Sequence, residues 1–360
     1  MVYLPADASI LEEGANEFQQ GNIGMIIAGI DEAGYGPLLG PLVVSATAFE
    51  LEGVGLPLDA EEEIPCVWRM LRGAVAKKAP VKKGRILVAD SKVVHNLTEG
   101  NKLLERGVLA FLRTMATFEV GDGGTVSAAK LLEHFGCMNH ELAAHPWYAP
   151  EDVSVPWMAE SGDLGIATNM LLGAMCTAKV RTVCMRTAVV SEKAFNRLVG
   201  GTNNKASALV SITLSHLHHL HTQFGHLGLM VGVDKQGGRD HYTQLLLQAF
   251  PEAQLRVILE SAKASSYLLT EKLSGGETRR TLIYFREKGE TAFMPTALAS
   301  MMCKYLRELC MHSFNKWWCE QVAGLRPTAG YYGDGTRWLM DVEPHLGRLG
   351  VERGMLVRVR

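Results

Sequence analysis

Several features that would place a chain quickly are scarce here. Seven cysteines are spread over 360 residues, an odd number, and none falls in a Cys-x-x-Cys pair. That argues against a disulfide framework and the common zinc spacings, and it fits reduced, mostly buried thiols in a cytoplasmic protein. Cys303 and Cys310, seven apart on an expected helix, share a face and read as core packing. Excess charge of one sign is also missing. Lys and Arg total 36 against 38 Asp and Glu, a net charge of -2, which argues against a strongly cationic nucleic-acid binder but leaves room for local basic patches. The C-terminal third carries a modest Lys/Arg excess. No apolar run approaches membrane-spanning length. Residues 1–20 hold Asp, Glu and Gln where a signal peptide needs an apolar stretch. No internal repeat or low-complexity tract is visible. What remains is ordinary globular composition, 47% hydrophobic and 21% charged, enough for a substantial core in one large domain or two.

Against that background one stretch stands out. Residues 29–41 read Gly-Ile-Asp-Glu-Ala-Gly-Tyr-Gly-Pro-Leu-Leu-Gly-Pro. The apolar run from Met25 to Ile30 ends in Asp31 and Glu32, a glycine turn follows, and a second apolar run starts at Leu42. A buried strand delivering two carboxylates to a glycine loop suits a divalent cation, because hard cations take oxygen ligands held on rigid elements. The two glycines would let backbone approach a phosphate closely. An ordinary hairpin with charges at its turn produces the same pattern.

Periodicity supplies the rest of the framework. The block after Gly24 reads as a β-hairpin, and residues 85–89 read as a strand ending at Asp90-Ser91-Lys92. Residues 101–118 have apolar positions at helical spacing. Residues 127–168 hold Pro146, Pro150 and Pro156 beside Trp147, Tyr148 and Trp157, and read as an insertion of short helices and loops. A strand is expected over 178–190 and a long helix over 205–224, whose His216, His218, His219 and His221 read as a solvated helix face rather than a metal site. A second buried strand, residues 228–233, also ends in an acid, Asp234; its turn includes Gly237, and a helix over 242–250 follows. Strands are expected at 255–259 and in a hairpin within 267–293. Pro295 then opens a helix from Thr296 to about Glu320, with proline in the first turn where its missing N–H costs nothing. A short helix lies near Trp338. Strands alternating with helices indicate an α/β fold.

The long helix adds a third acidic segment. Ser300, Lys304 and Glu308 follow one another at i, i+4 and i+8 and form a stripe. Such a stripe is also what the wet face of any amphipathic helix looks like. Two strand-end sites, Asp31-Glu32 and Asp234, together with Glu308, make four acids from separate segments. That is the inventory of a two-metal phosphodiesterase, in which paired cations clamp the attacking water and the leaving oxygen. Clustered carboxylates repel one another until cations neutralise them, so Mg²⁺ or Mn²⁺ is the expected cofactor.

These residues resemble the ribonuclease HII family. Gly29-Ile30-Asp31-Glu32-Ala33-Gly34-Tyr35-Gly36-Pro37 looks like the family signature, with Tyr35 where the usual form has Arg. Asp90-Ser91-Lys92 is similar to its Asp-Ser-Lys segment. Val233-Asp234 with Gly237, Tyr242 and Phe250-Pro251 is similar to the strand bearing the third acid. Lys263-Ala264-Ser265 resembles a Lys-Ala-Asp element with Ser for Asp, and residues 299–308 resemble the helix that carries the fourth acid, with Glu308 for Asp. Gly330-Tyr331, Asp334, Thr336 and Trp338 look like the tail of the archaeal and eukaryotic branch. The likeness runs from Gly29 to about Leu339 and lapses over 113–180 and 267–293.

The resemblance implies a ribonuclease H-like mixed sheet flanked by helices, with an insertion at about 113–180. It implies a catalytic domain over 24–295, and a long helix and C-terminal extension over 296–360 packing on the same site. The implied activity is cleavage of RNA in RNA–DNA hybrids, or at a ribonucleotide embedded in duplex DNA. A partner that binds hybrid or junction nucleic acid without cutting, and a nuclease for another structure, are the alternatives. Carried across by position, Asp31, Glu32, Asp234 and Glu308 are the implied metal ligands. Gly34, Tyr35 and Gly36 would read the ribose 2′-OH, the group that tells RNA from DNA. Tyr331 would pack on the sugar. Ser91, Lys92, Ser300 and Lys304 complete the implied substrate contacts, with the two lysines on phosphate. Loss of the loop Arg removes a fixed charge and a fork of donors, and Glu308 adds a methylene.

Overall fold

The computed structural model describes residues 24–58, 63–82, 84–121, 124–137, 140–148, 153–202, 204–236 and 238–359. The readings made on residues 1–20, Pro150 and Gly237 lie outside the described residues. Among the described residues the main sheet has seven strands: β1 (Gly24–Ala33), β2 (Leu42–Glu52), β3 (Val180–Val190), β4 (Leu229–Asp234), β5 (Gln254–Glu260), β6 (Ala264–Lys272) and β7 (Thr278–Arg286). Their order across the sheet is β3-β2-β1-β4-β7-β6-β5. β1 and β2 form the expected antiparallel hairpin, with Gly24 opposite Glu52 and Ala33 opposite Val43. β3 extends it antiparallel to β2. β4 then joins the free side of β1 in parallel, and β7 joins β4 in parallel. The mixed α/β sheet expected from the sequence is therefore present.

The helices used below are α1 (Ser91–His95), α2 (Gly100–Leu112), α3 (Glu192–Thr202), α4 (Lys205–Phe224), α5 (Gly289–Ala292), α6 (Met294–Gln321) and α7 (Tyr332–Val342). A parallel pair needs a long crossover, and α3 and α4 supply it between β3 and β4. α4 is started by Asn204, whose Oδ1 accepts from the Ala206 N–H at 2.8 Å. It packs Leu209, Ile212 and Leu217 on the face that carries Ile26, Ala28 and Ile30. α6 covers the opposite face, where Met25 and Ile27 meet Ala297, Leu298 and Met301. Cover on both sides is why β1 reads as a continuous apolar run rather than an alternating one. Each such fully buried aliphatic side chain contributes about 1.5–3 kcal/mol.

The start of α6 sits unusually close to the sheet. A Cβ on Gly29 would lie 2.0 Å from the Thr296 backbone nitrogen, so only glycine permits this crossing. Thr296 Oγ1 donates to Gly232 O at 2.9 Å and Thr47 Oγ1 donates to Pro295 O at 2.9 Å. The helix is thereby pinned across β1, β2 and β4. Two turns further along, Cys303 Sγ donates to Asp31 O at 3.1 Å, so α6 runs under the acidic tip of β1.

The insertion is anchored by buried groups that periodicity does not reveal. Glu105 of α2 is fully buried and accepts the N–H groups of Trp157, Met158 and Ala159 at 2.6–2.7 Å, plus the Tyr305 hydroxyl at 3.0 Å. Trp147 packs 5.5 Å from Trp318, which in turn lies 5.2 Å from Trp338 of α7. Two expectations need correction. The helix read as 101–118 ends at Leu112. The histidine face of α4 is not solvated throughout: His216 and His221 are buried. His216 Nε2 donates to Val44 O at 3.1 Å, and burial pushes its pKa down to about 3. His221 bonds Thr281 and Glu271. The wide apolar stripe of α4 takes in these two positions; both ring nitrogens of His221 are bonded there, whereas His216 bonds through Nε2 and its buried Nδ1 has no partner among the described residues. Among the described residues no helix is long and apolar enough to cross a membrane.

Candidate active site

Parallel pairing of β1 with β4 brings the first three acids together. The register ends with Ile30 opposite Val233, so Asp31 and Asp234 leave adjacent strands side by side and on the same face. Asp31 is 7% exposed. Its carboxyl is pushed well above the usual range by burial, then by the charges of Glu32 and Asp234, with a hydrogen bond from Ser300 pulling the other way. Burial and the Asp234 charge raise Glu32 to about 7, opposed by Lys92. Burial also raises Asp234, against the Gly289 N–H that donates to its Oδ1 at 2.9 Å. The Oε2 atom of Glu32 is buried and has no hydrogen-bond partner among the described residues. Three carboxylates under mutual repulsion, one with an orphaned oxygen, lack positive charge rather than acid.

Two further acids sharpen that deficit. Asp90 caps α1, accepting from the Lys92 N–H at 2.9 Å, and its charge is felt at Asp234. Glu290 of α5 is raised by burial and by Asp234 and Asp90. Sequence reading quoted Asp90 in a motif without giving it a role, and missed Glu290 because nothing around Lys288-Gly289-Glu290 marks it. Lys92 is the cation these acids share.

The fourth sequence-predicted acid is engaged elsewhere. Glu308 Oε1 accepts from Lys304 Nζ at 2.6 Å, and the charges of both are felt at His95, at the end of α1. The charges that act most strongly on Asp31, Glu32 and Asp234 come from one another, Lys92, Asp90 and Glu290. Among the described residues no group of three or more His, Cys, Asp or Glu side chains is arranged to hold a metal ion. The donor chemistry of the strand-borne acids fits a hard divalent cation all the same: the ligands are oxygen only, raised in pKa, with one orphaned atom.

The predicted hydroxyl contacts are interior. Ser91 and Ser300 are 6% and 3% exposed, and their hydroxyl oxygens are hydrogen-bonded to each other at 3.0 Å. They tie α1 to α6 and, through Ser300, to Asp31. Lys92 is exposed beside the acids.

The glycine loop borders the acidic tip. Gly34 has φ +83°, and a Cβ there would lie 2.5 Å from Pro41 O, so the position requires glycine. Gly36 faces open space. Behind the loop, Arg307 is 1% exposed and donates from Nη2 to Leu39 O at 3.1 Å and Ala329 O at 3.3 Å. Leu38 N–H and Leu39 N–H both donate to Gly330 O, at 2.9 and 3.1 Å. That pairing sets Tyr331 beside the loop, 53% exposed, with the Arg307 guanidinium 5.7 Å from its ring centre. Gly40 N–H donates to Glu192 Oε1 at 2.9 Å. Sequence reading missed Glu192 and Arg358, which also meet the loop. Their neighbours in sequence carry no motif, and the contacts span more than 150 residues.

No family model matches the sequence, and no curated protein matches it. Solved structures do match. The ribonuclease HII of Archaeoglobus fulgidus, in its complex with PCNA, matches at 14% identity over 93% of this chain and 95% of that one, with a TM-score of 0.41. The ribonuclease H2 of Pyrococcus horikoshii matches at 13% identity over 92% of both chains, TM-score 0.39. The Bst ribonuclease HIII in complex with Mn²⁺ matches at 13% identity over 93% of this chain and 66% of that one, TM-score 0.41. The fold itself rests on strand order and register: three antiparallel strands, β3-β2-β1, followed by parallel β4 and β7, with helices on both faces, a ribonuclease H-like α/β arrangement.

Proposed function

We propose that the chain is a metal-dependent endoribonuclease acting on RNA in RNA–DNA hybrids or at ribonucleotides embedded in duplex DNA. One observation carries the reading. Asp31, Glu32 and Asp234 meet at the tips of adjacent parallel strands, Asp31 buried, Glu32 and Asp234 half-buried and all three raised in pKa, next to a positive-φ glycine loop flanked by an exposed Tyr331. Asp31, Glu32 and Asp234 would hold Mg²⁺ or Mn²⁺. Bound cations of this kind supply an activated water and neutralise the leaving oxygen. Lys92, exposed at the rim, neutralises phosphate. The Gly34–Gly36 backbone offers N–H donors to a ribose hydroxyl, and Tyr331 offers a ring to a sugar. Glu308 would join the ligands once Lys304 turns to phosphate. The test is incubation of a duplex carrying one ribonucleotide with Mg²⁺ or Mn²⁺. Strand scission leaving a 3′-hydroxyl is expected, and its absence at every metal concentration overturns the reading.

A second reading, binding of hybrid or junction nucleic acid without cutting, is favoured by the Lys304–Glu308 ion pair, which engages the fourth carboxylate. Salt-sensitive binding with no product would select it.

A further inference from the structure

The residues that end the described chain form a strap across the glycine loop. Arg358 N–H donates to Leu38 O at 3.0 Å. Val359 N–H donates to Asn196 Oδ1 at 2.7 Å, and Asn196 Nδ2 donates back to Val357 O at 2.8 Å and Gly354 O at 3.1 Å. The strap carries one guanidinium inward. Arg358 is 2% exposed and lies flat enough over Phe195 to put its Cζ 4.1 Å from the ring centre. Its Nη1 donates to Gly34 O, and its Nη2 donates to Tyr35 O at 2.8 Å.

Two successive carbonyls held by one planar fork fix two successive peptide planes. In a trans peptide the carbonyl and the following N–H point in opposite directions. Turning the Gly34 and Tyr35 carbonyls toward Arg358 therefore turns the N–H groups of Tyr35 and Gly36 away from it. Neither of those two amides has a hydrogen-bond partner among the described residues, and the Gly36 Cα faces open space. The charge beneath the loop has the same sense. The charges of Arg307 and of the buried Glu192 carboxylate are both felt at Arg358. Two guanidiniums against one carboxylate leave the underside positive, which favours an electron-rich oxygen on the outer side.

We propose that Arg358 is a positioning residue that presents the Tyr35 and Gly36 amides as a paired donor for a hydroxyl or phosphate oxygen of the substrate. This rests on the nuclease reading for the identity of that substrate, but not for the geometry. The planar fork is the reason for Arg: a lysine reaches one carbonyl, and the second peptide plane is released.

The experiment compares native chain, Arg358→Met and Arg358→Lys by backbone ¹⁵N relaxation at residues 34–36, without substrate, and by kcat and KM on the ribonucleotide-containing duplex. Native order parameters near ~0.85 are expected to fall below ~0.6 at these residues in Arg358→Met, with β1 and β2 unchanged. KM is expected to rise about tenfold while kcat changes less than about threefold, because the carboxylates are untouched. Arg358→Lys should fall between the two. Unchanged loop order in a folded Arg358→Met overturns the proposal. If that variant does not fold, Arg358→Lys decides: lost order confined to 34–36 supports the proposal, and native values overturn it. A chain that cuts nothing leaves the relaxation result readable and removes only the nuclease reading.

Discussion

The acids borne by strands and the acid borne by a helix live under different rules in this molecule. Asp31, Glu32 and Asp234 are fixed by β1 and β4, which cannot move without breaking the sheet. They stay crowded and repelling, and among the described residues Lys92 is the cation whose charge is felt at Glu32 and Asp234. Glu308 has a flexible side chain on α6 and a lysine one turn behind it, and it ion-pairs at 2.6 Å. Rigid elements can store unfavourable electrostatics, whereas a free rotamer next to an opposite charge relaxes it. The unrelieved acids are therefore the ones to which the proposed function assigns the chemistry.

The largest effect expected from that contrast is on cleavage. Asp31→Asn should lower the cleavage rate by at least ~10³-fold, about 4 kcal/mol, measured on the single-ribonucleotide duplex with native chain alongside. Equal cutting by both would erase the distinction between the two kinds of acid.

Stability against pH comes next. Glu32 is held at about 7 in the folded chain, above its ordinary 4.5. The folded state therefore keeps a proton that the unfolded state has lost. This stabilisation is complete below about pH 4.5 and disappears as pH rises through about 7, a loss of roughly 3 kcal/mol. Thermal unfolding of metal-free protein should show Tm falling over that window. Glu32→Gln should flatten the fall, and added Mn²⁺ should reverse it. A Tm that rises from pH 5 to 8 at Glu32 alone, judged by the difference between native and variant, contradicts the sign.

Releasing the helix-borne acid should sharpen the comparison. Lys304→Met frees Glu308 from its partner, and Mn²⁺ affinity measured by calorimetry should increase about tenfold. The smallest effect belongs to Glu308→Gln in the presence of Lys304. Mn²⁺ affinity should change less than about threefold, whereas Asp234→Asn should weaken it at least about tenfold. Equal losses in the last two variants would place Glu308 on the same footing as the strand acids.

Much of this was legible in the sequence because it is local. The hairpin with Asp31 and Glu32 at its tip, the strand ending in Asp234 and the proline-started helix α6 each come from short patterns. The glycine at position 34 was legible for the same reason. What escaped was long-range. Gly29 is chosen by the Thr296 backbone that crosses it. Glu105 is buried because three amides of the insertion point at it. Glu290, Glu192 and Arg358 join the site only through the tertiary fold. The Lys304–Glu308 pair was visible as an i, i+4 spacing, but spacing does not say whether the lysine answers the acid or the substrate.

The central claim is that the three strand-borne carboxylates hold the cation that cuts RNA. Its most direct test is cleavage of a labelled duplex with one embedded ribonucleotide, in Mn²⁺, by native chain and by Asp234→Asn. Scission 5′ or 3′ of the ribonucleotide by the native chain, with loss of at least ~10³-fold in the variant, is the predicted result. An intact duplex with the native chain, or equal scission by both, contradicts the claim.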